Sequence, residues 1–196
     1  MRTTLRTTGV AVRAMAVFTL LLGAGYMLLI TAIGQIALPF QANGSLVRSA
    51  DGAVTGSQLI GQSFADADGN ALPEYFQSRP SAAGDGYDST VSSGSNWGPE
   101  NEDLIAAIEE RTAASVELDG SGSIPADALT ASASGLDPDI SVANAERQVA
   151  RVAQARGIAA SEVQALVAEH TIGRDLGYLG DPRVNVLELN RALDAR

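Results

Sequence analysis

The chain has 196 residues, no cysteine, one histidine and 13 basic residues, all arginine, against 23 acidic residues, for a formal net charge of −10. The absence of cysteine excludes disulfides and thiolate chemistry, and the absence of lysine excludes a Walker A loop, a kinase-type lysine and a Schiff base. All 23 acidic residues but only 10 arginines follow residue 34, so this region carries a net charge of −13. Such a surface repels nucleic acid, which we therefore do not expect as a partner.

The first element of the chain is an uncharged run over residues 14–34, AMAVFTLLLGAGYMLLITAIG. As an α-helix it would span about 30 Å, the hydrocarbon thickness of a bilayer. Arg2, Arg6 and Arg13 precede it without any acidic residue. Because arginine on one flank of a span favours the cytoplasmic side, the pattern predicts a transmembrane helix over 14–34 and a cytoplasmic N-terminus over 1–13.

A cleaved signal peptide is the alternative interpretation of this region. Signal cores usually have about 7–15 apolar residues and end in a small-x-small site. Here the run is longer and continues through Ile36–Phe40 without such a site. We therefore expect a single-pass anchor in the cell (inner) membrane, a membrane-exit segment over 35–40 and a soluble extracytoplasmic α+β domain over 41–196.

The predicted elements of the domain follow in chain order. Gln41–Phe64 is expected to start a sheet, because Ala50-Asp51-Gly52 between two mixed apolar runs is typical of a hairpin. Residues 65–100 are rich in Gly, Ser, Asp and Pro and predict a long irregular segment. The predicted helices run from Glu100 to about Val116, from a Ser141 cap to Gly157, from a Ser161/Gln164 capping box to near Gly173, and from an Asn185 cap through Leu193, the last after a short strand over 184–186.

No motif indicates catalysis or metal binding. Residues 66–70 begin like a calcium-binding loop, but Ala71 stands where the loop needs glycine and Gln77 where it needs glutamate. His170 is interpreted as structural, because the chain has no G-x-S-x-G elbow that would supply a serine nucleophile. We expect no catalytic residue, no metal ligand and no directly bound cofactor.

Four residues of the domain are candidates for a partner interface. Trp97, the only tryptophan, follows Asn96 in a loop of small residues and either plugs its own domain or anchors a partner. Arg147 and Arg151 are four residues apart on one predicted helix face. They are interpreted first as a solvated stripe, and alternatively as interface groups that bind carboxylates.

The predicted span contributes two further candidates. Thr19 and Gly23 form a small-xxx-small pair, which permits another transmembrane helix to approach closely. An anchored domain without visible chemistry favours an accessory or binding role over an enzyme.

Eight stretches, in this order, resemble the C subunit of the Kdp potassium-transporting ATPase, a family of bacterial and archaeal uptake systems. They are Ile36–Val47, Gly56–Phe64, Tyr75–Ala82, Ser92–Asn101, Ile124–Ser141, Asn144–Gly157, His170–Arg174 and Pro182–Leu193. The run TASASGLDPDIS, which ends at Ser141, is the most specific. Two positions depart from the family pattern: Trp97, where an aliphatic residue is more common, and Ser78, where glycine is.

The resemblance implies a complex with three partners: a channel-like subunit that binds K⁺, a P-type ATPase subunit that hydrolyses ATP, and a very small membrane subunit. It also implies that this chain is a non-catalytic accessory subunit, which stabilises the assembly and acts as a catalytic chaperone by raising the ATP affinity of the ATPase subunit. A domain outside the membrane cannot touch cytoplasmic ATP, so such an effect would be transmitted through the membrane subunits as coupling free energy. The alternatives are a membrane-anchored binding domain unrelated to ion transport and an anchored hydrolase that uses carboxylates.

Overall fold

The structure is a computed structural model that describes residues 2–49 and 51–196. Ala50, in the predicted hairpin turn, lies outside the described residues. The chain divides into two compact units, Met1–Leu46 and Val47–Arg196, here called the N-terminal and C-terminal units. An N-terminal apolar helix followed by a small α+β domain is the predicted architecture, and the structure confirms it.

The N-terminal unit is a long apolar helix. It comprises α1 (Arg2–Phe18), a π-helical segment (Thr19–Tyr26) and α2 (Met27–Ala37), followed by the single turn α3 (Pro39–Ala42). The stretch Thr3–Ala37 is 35 residues long and apolar enough to cross a membrane, so helix extends well beyond the predicted 14–34. It ends at Leu38, with φ −137° and ψ 53°, because the residue before a proline is disfavoured in the α-helical conformation.

The C-terminal unit contains two small sheets and five helices in its described residues. A two-stranded sheet pairs β1 with β2, and a three-stranded antiparallel sheet has the order β3-β5-β4. The bounds are β1 Leu46–Arg48, β2 Val54–Ser57, α4 Glu102–Asp119, α5 Ala126–Leu129, β3 Asp139–Ser141, α6 Val142–Arg156, α7 Ala160–Glu169, β4 Thr171–Ile172, β5 Arg183–Asn185 and α8 Val186–Asp194.

Three predicted helix boundaries are confirmed. The Ser141 side chain accepts a hydrogen bond from Asn144 N at the start of α6, and Gly157 ends that helix in the left-handed conformation at φ 67°. The Asn185 side chain caps α8 by accepting from Glu188 N. Both capped helices follow directly on strands of the three-stranded sheet, so the caps fix where strand becomes helix.

The predicted bounds of α7 are wrong at both ends. Its N-cap is Ala159, whose methyl side chain cannot accept a hydrogen bond, so the expected capping box of Ser161 and Gln164 does not form. At the other end the helix stops at Glu169 rather than near Gly173. The reason is tertiary, because the next residues leave the helix to pair with β5 as strand β4.

The core of the C-terminal unit lies between the three-stranded sheet and helices α6, α7 and α8. Ile140 and Val184 face each other across β3 and β5, and both are almost fully buried. Phe76, from the irregular segment, is wholly buried in the same cluster. The helices contribute Ala145, Val149, Val152, Ala153, Val163, Leu166, Val167, Val186, Leu189 and Leu193.

Candidate functional site

A row of polar side chains on α6 faces the irregular segment and α4. Asn144, Arg147, Gln148 and Arg151, here called the α6 polar row, stand at positions i, i+3, i+4 and i+7 of the helix and so share one face. Asn144 and Gln148 are each 3% exposed, and long polar chains are rarely buried unless all their groups are paired. The hydrogen-bond partners of these side chains therefore define the role of the row.

Arg151 binds groups of its own chain at three separate places. Its Nε pairs with Asp119 Oδ1 at 2.8 Å, and both side chains of this ion pair are only 7% exposed. Its Nη1 donates to the carbonyl oxygens of Pro73 at 2.8 Å and Tyr75 at 2.9 Å, and its Nη2 donates to Gln148 Oε1 at 2.7 Å. Arg151 thereby ties the end of α4 and the irregular segment to α6.

Arg147 binds the carbonyl groups at the end of α4. Its Nη2 donates to Ser115 O at 3.1 Å and to Gly120 O at 2.5 Å, and its Nη1 donates to Ser123 O at 3.4 Å. Gly120 is the C-cap of α4, so the positive guanidinium lies at the negative end of the helix dipole and complements it. The interpretation of Arg147 and Arg151 as a solvated stripe is wrong, because tertiary folding brings α4 against this face of α6.

Two buried amides hold the irregular segment at Phe76 and Gln77. Asn190 on α8, 1% exposed, accepts from Phe76 N at 2.8 Å and donates to Phe76 O at 3.0 Å. Gln148 accepts from Gln77 N at 2.7 Å and donates to Gln77 O at 3.2 Å. It also donates to Asn144 Oδ1 at 3.0 Å. Each amide pairs with both main-chain groups of one residue, as a neighbouring strand would.

A second polar cluster joins the irregular segment to the run before β3. Arg79 Nη1 pairs with Asp137 at 2.9 Å, and Tyr87 donates its hydroxyl to Arg79 O at 2.6 Å. Burial raises the pKa of Tyr87 to about 12, so the phenol remains protonated and can donate. Burial also raises the pKa of Asp139, against the opposing charge of Arg183 at 3.0 Å. Among the described residues, Arg79 Nε has no hydrogen-bond partner.

Glycine allows the main chain to approach closely beside this cluster. A Cβ at Gly135, which has φ +68°, would lie 2.5 Å from Ser93 O. A Cβ at Gly61 would overlap the carbonyl oxygen of Asp137. On one side of this run Ser93 N donates to Ser134 O at 2.9 Å, and on the other Gly61 N donates to Leu136 O at 2.9 Å. The Gly-containing sequence TASASGLDPDIS is thus the centre of a tightly packed loop layer.

The loop candidates Asn96 and Trp97 lie on the surface of the C-terminal unit. Trp97 is 39% exposed, so it is neither a buried plug nor fully solvated. Asn96 adopts φ +55°, and its side chain donates to Gly94 O at 3.1 Å. Asparagine tolerates this conformation better than most residues, so Asn96 has a local role in shaping the loop that presents Trp97.

The span candidates Thr19 and Gly23 lie in the π-helical segment of the N-terminal unit. A Cβ added at Gly23 would meet Thr19 Cγ2 at 3.8 Å, so the two residues are neighbours on the helix surface. Leu20, Leu21 and Leu22 beside them are more than half exposed. Short π-helical stretches are rare and occur often at functional positions. Thr19 and Gly23 therefore remain candidates for contact with another transmembrane helix.

A cleft of about 910 Å³ lies between α4, α6 and the irregular segment. Its walls are mainly small or apolar and include Ala71, Pro73, Ala114, Leu118 and Ala155. The charged groups at its edge are Arg151, whose donors are engaged as described above, and Glu117. Among the described residues that line it, the cleft therefore has no convergent set of free polar groups.

The structure gives the histidine a structural contact. His170 is the C-cap of α7, and its Nδ1 lies 3.0 Å from Leu166 O, one turn earlier. Among the described residues, no group of three or more His, Cys, Asp or Glu side chains is placed to hold a metal ion.

Sequence reasoning missed the residues that bind across long chain separations. Asn190 and Gln148 meet Phe76 and Gln77 from 114 and 71 residues away. A usable signal was the polar residue on an otherwise apolar helix face, since Asn190 interrupts the Leu189–Leu193 stripe of α8. Such a residue predicts a buried partner but does not identify it.

Comparison with known proteins supplies the assignment. The chain matches the family described as KdpC: K⁺-transporting ATPase, c chain, over residues 8–195. It is 56% identical over 186 residues to the potassium-transporting ATPase KdpC subunit of Caulobacter vibrioides, covering 95% of this chain and 91% of that protein. It is 55% identical over 174 residues to the subunit of that name from Kineococcus radiotolerans (88% and 85% covered). It is 50% identical over 187 residues to that of Mycobacterium bovis (94% and 95% covered). The chain therefore belongs to the KdpC family, the c chain of K⁺-transporting ATPases.

Proposed function

We propose that this chain is the non-catalytic accessory subunit of a high-affinity, ATP-driven K⁺ uptake complex. In this role it stabilises the assembly and raises the ATP affinity of the P-type ATPase subunit. The match over residues 8–195 carries the proposal, because it includes both the apolar helix and the C-terminal unit of a family described as K⁺-transporting ATPase, c chain. The partners are a channel-like K⁺-binding subunit, the P-type ATPase subunit and a very small membrane subunit.

The chemistry of the described residues supports an accessory role. Arg147 and Arg151 bind main-chain carbonyls and a carboxylate of their own chain. These contacts hold α4 and the irregular segment against α6 and occupy guanidinium groups that could otherwise bind a phosphate. The absence of lysine removes the phosphate-binding residue of most ATP sites. ATP and K⁺ are therefore handled by the partner subunits.

The effect on ATP affinity is a coupling between the accessory subunit and the ATPase subunit. Coupling free energies between sites are typically about 1–3 kcal/mol, which corresponds to roughly 5- to 150-fold in affinity. With its domain on the outer side of the cell membrane, the accessory subunit would act by favouring one conformation of the membrane subunits. The same coupling requires that ATP strengthen the association of this chain with its partners.

The test is purification of the C-terminally tagged full chain from mildly solubilised membranes of potassium-starved cells. Mass spectrometry should recover a P-type ATPase and a channel-like protein in a fixed ratio to the chain. Complexes with and without the chain should then differ in the ATP concentration that half-saturates hydrolysis, which should be lower with it. Recovery of the chain alone, or with unrelated envelope proteins, would overturn the proposal and favour an anchored binding domain.

A further inference from the structure

The turn between β4 and β5 exposes a cluster of apolar side chains. Leu176 is 81% exposed, Tyr178 68% and Leu179 48%. These three side chains are here called the apolar tip. Single exposed apolar residues are ordinary on a protein surface, but three large ones within four residues form a patch of the kind that marks an interaction site. None of the roles described above uses them.

Leu176 occupies a backbone conformation that leucine disfavours. Its φ is +53° and that of the following Gly177 is +83°, and Tyr178 N donates to Asp175 O at 3.3 Å to close the turn. Turns with positive φ at both central positions favour Asn, Asp and Gly, because the Cβ of other residues clashes there. Leu176 thus carries a local cost and is not compensated by burial. Residues that break a local preference in this way are expected at functional positions.

Main-chain hydrogen bonds define the turn that carries the tip. Asp175 and Leu179 exchange two main-chain hydrogen bonds, at 3.0 and 2.9 Å. Arg174 pairs with Asp181 at 2.9 Å, and Arg183 lies 3.7 Å from Asp175. These two arginines and two aspartates beside the tip sum to zero charge, and Arg183 also pairs with Asp139 at 3.0 Å. A pre-formed apolar knob loses little conformational entropy on docking, which favours specific binding.

We propose that the apolar tip docks into an apolar pocket on another protein subunit of the same membrane complex. This inference rests on the proposed function, since it presupposes such subunits. Full burial of one tyrosine and two leucines removes roughly 400 Å² of surface, well below the roughly 800 Å² per partner of an independent stable interface. A contact of this size is effective where other contacts already hold the partner nearby, as for subunits that span one membrane.

Charge argues against a lipid surface as the binding partner of the tip, and area argues against a second copy of the chain. The net charge of −13 that follows the apolar run repels anionic lipid headgroups, and the neutral surroundings of the tip supply no attraction to offset it. A second copy that met this chain through the tip alone would bury too little area to form a stable dimer. Tyrosine is also among the residues enriched in the energetic centres of protein interfaces.

The first experiment places a photo-crosslinking amino acid, p-benzoylphenylalanine, at Tyr178 of the full chain in membranes that contain the assembled complex. The expected product is a covalent adduct to one of the co-purifying subunits, identified by mass spectrometry. The same amino acid at Ile105, an exposed apolar residue of α4, is the control and should not give that adduct. Adducts to lipid only, adducts to a second copy of the chain, or no adduct would each overturn the inference.

A substitution separates docking from folding. Leu176→Gly suits the positive φ, so it should leave the melting temperature of the purified chain unchanged or raise it. It should nevertheless weaken retention of the partner subunits about 10-fold or more, the effect expected of an interface anchor. Ile105→Gln is the matched control and should leave retention unchanged. If the wild-type chain retains the ATPase and Leu176→Gly retains it equally well, the docking inference fails while the proposed function stands. If the wild-type chain retains no ATPase, the proposed function fails first.

Discussion

At the scale of single residues, two buried side-chain amides make the main-chain hydrogen bonds that a neighbouring strand would otherwise make. Within residues 2–49 and 51–196 no strand lies beside Phe76 and Gln77, yet their main-chain groups are removed from water and need partners. Asn190 and Gln148 provide one donor and one acceptor each, the same pair of groups that an adjacent strand would offer. Phe76 is thereby fixed in the core although its flanking chain is irregular.

Asn190→Ala is expected to destabilise the C-terminal unit by about 2–4 kcal/mol, because it leaves the N–H and C=O of Phe76 buried without partners. The free energy of unfolding of the full chain in detergent, measured with denaturant, would report the loss. Gln154→Ala, on the exposed side of α6, is the control and should change stability by less than about 0.5 kcal/mol. An equally small loss for Asn190→Ala would contradict the role given to this amide.

At the scale of elements, α4 is held by polar contacts at its C-terminal end. All 18 residues of α4 are described and none is buried, so apolar packing gives this helix little support. Its Asn101 cap, with hydrogen bonds to Asp103 N and Leu104 N, fixes the start, and Arg147 and Arg151 from α6 fix the end. We expect α4 to open locally more readily than α6 and α8, which carry the core.

Arg147→Ala should therefore speed hydrogen exchange in the last turn of α4 by about 10- to 100-fold, since charged hydrogen bonds contribute about 1.5–3 kcal/mol. Exchange in α8 should stay at its wild-type rate. Exchange measured by mass spectrometry on the full chain gives both rates at once. Glu146→Ala, an exposed neighbour on α6, is the control. Faster exchange throughout the C-terminal unit, or an unchanged α4, would argue against a local clamp.

At the scale of the whole molecule, charge and apolarity are separated along the chain. The N-terminal unit has basic residues and a long apolar helix, and every acidic residue lies in the C-terminal unit. The apolar helix determines that the chain can be anchored, and the arginines before it determine the expected orientation. Under the proposed function, orientation decides whether this chain could meet ATP directly or would act only through its partners.

The lack of native cysteine makes this orientation directly measurable. Single-cysteine variants Thr4→Cys and Ser121→Cys, both at exposed positions, would be treated with a membrane-impermeant maleimide. The cells would have a permeabilised outer envelope but an intact cell membrane. We expect Ser121→Cys to react before the cell membrane is permeabilised and Thr4→Cys only afterwards. The reverse order would place the C-terminal unit in the cytoplasm and reopen direct contact with ATP. The cysteine-free wild-type chain is the blank.

Local patterns were sufficient for much of the fold. Residues 14–34 predict the apolar helix because their length and lack of charge are properties of the segment itself. The caps at Ser141 and Asn185 likewise act within three residues of themselves. The family resemblance likewise depends on short runs such as TASASGLDPDIS. Local signals failed at α7. The sequence predicted that this helix would end near Gly173, but it ends at Glu169 because Thr171 pairs with Val184 in the sheet.

The sequence by itself therefore determined the long apolar helix near the N-terminus, the lack of lysine and cysteine chemistry and the family to which the chain belongs. Only the tertiary structure decided what the polar residues do: Arg147 and Arg151 bind α4 instead of water, Asn190 binds Phe76, and Leu176 remains exposed at a strained turn. The physical reason is that caps and apolar periodicity act over one or two helical turns. Hydrogen bonds between residues 32 to 114 positions apart depend on which surfaces the folded chain brings together.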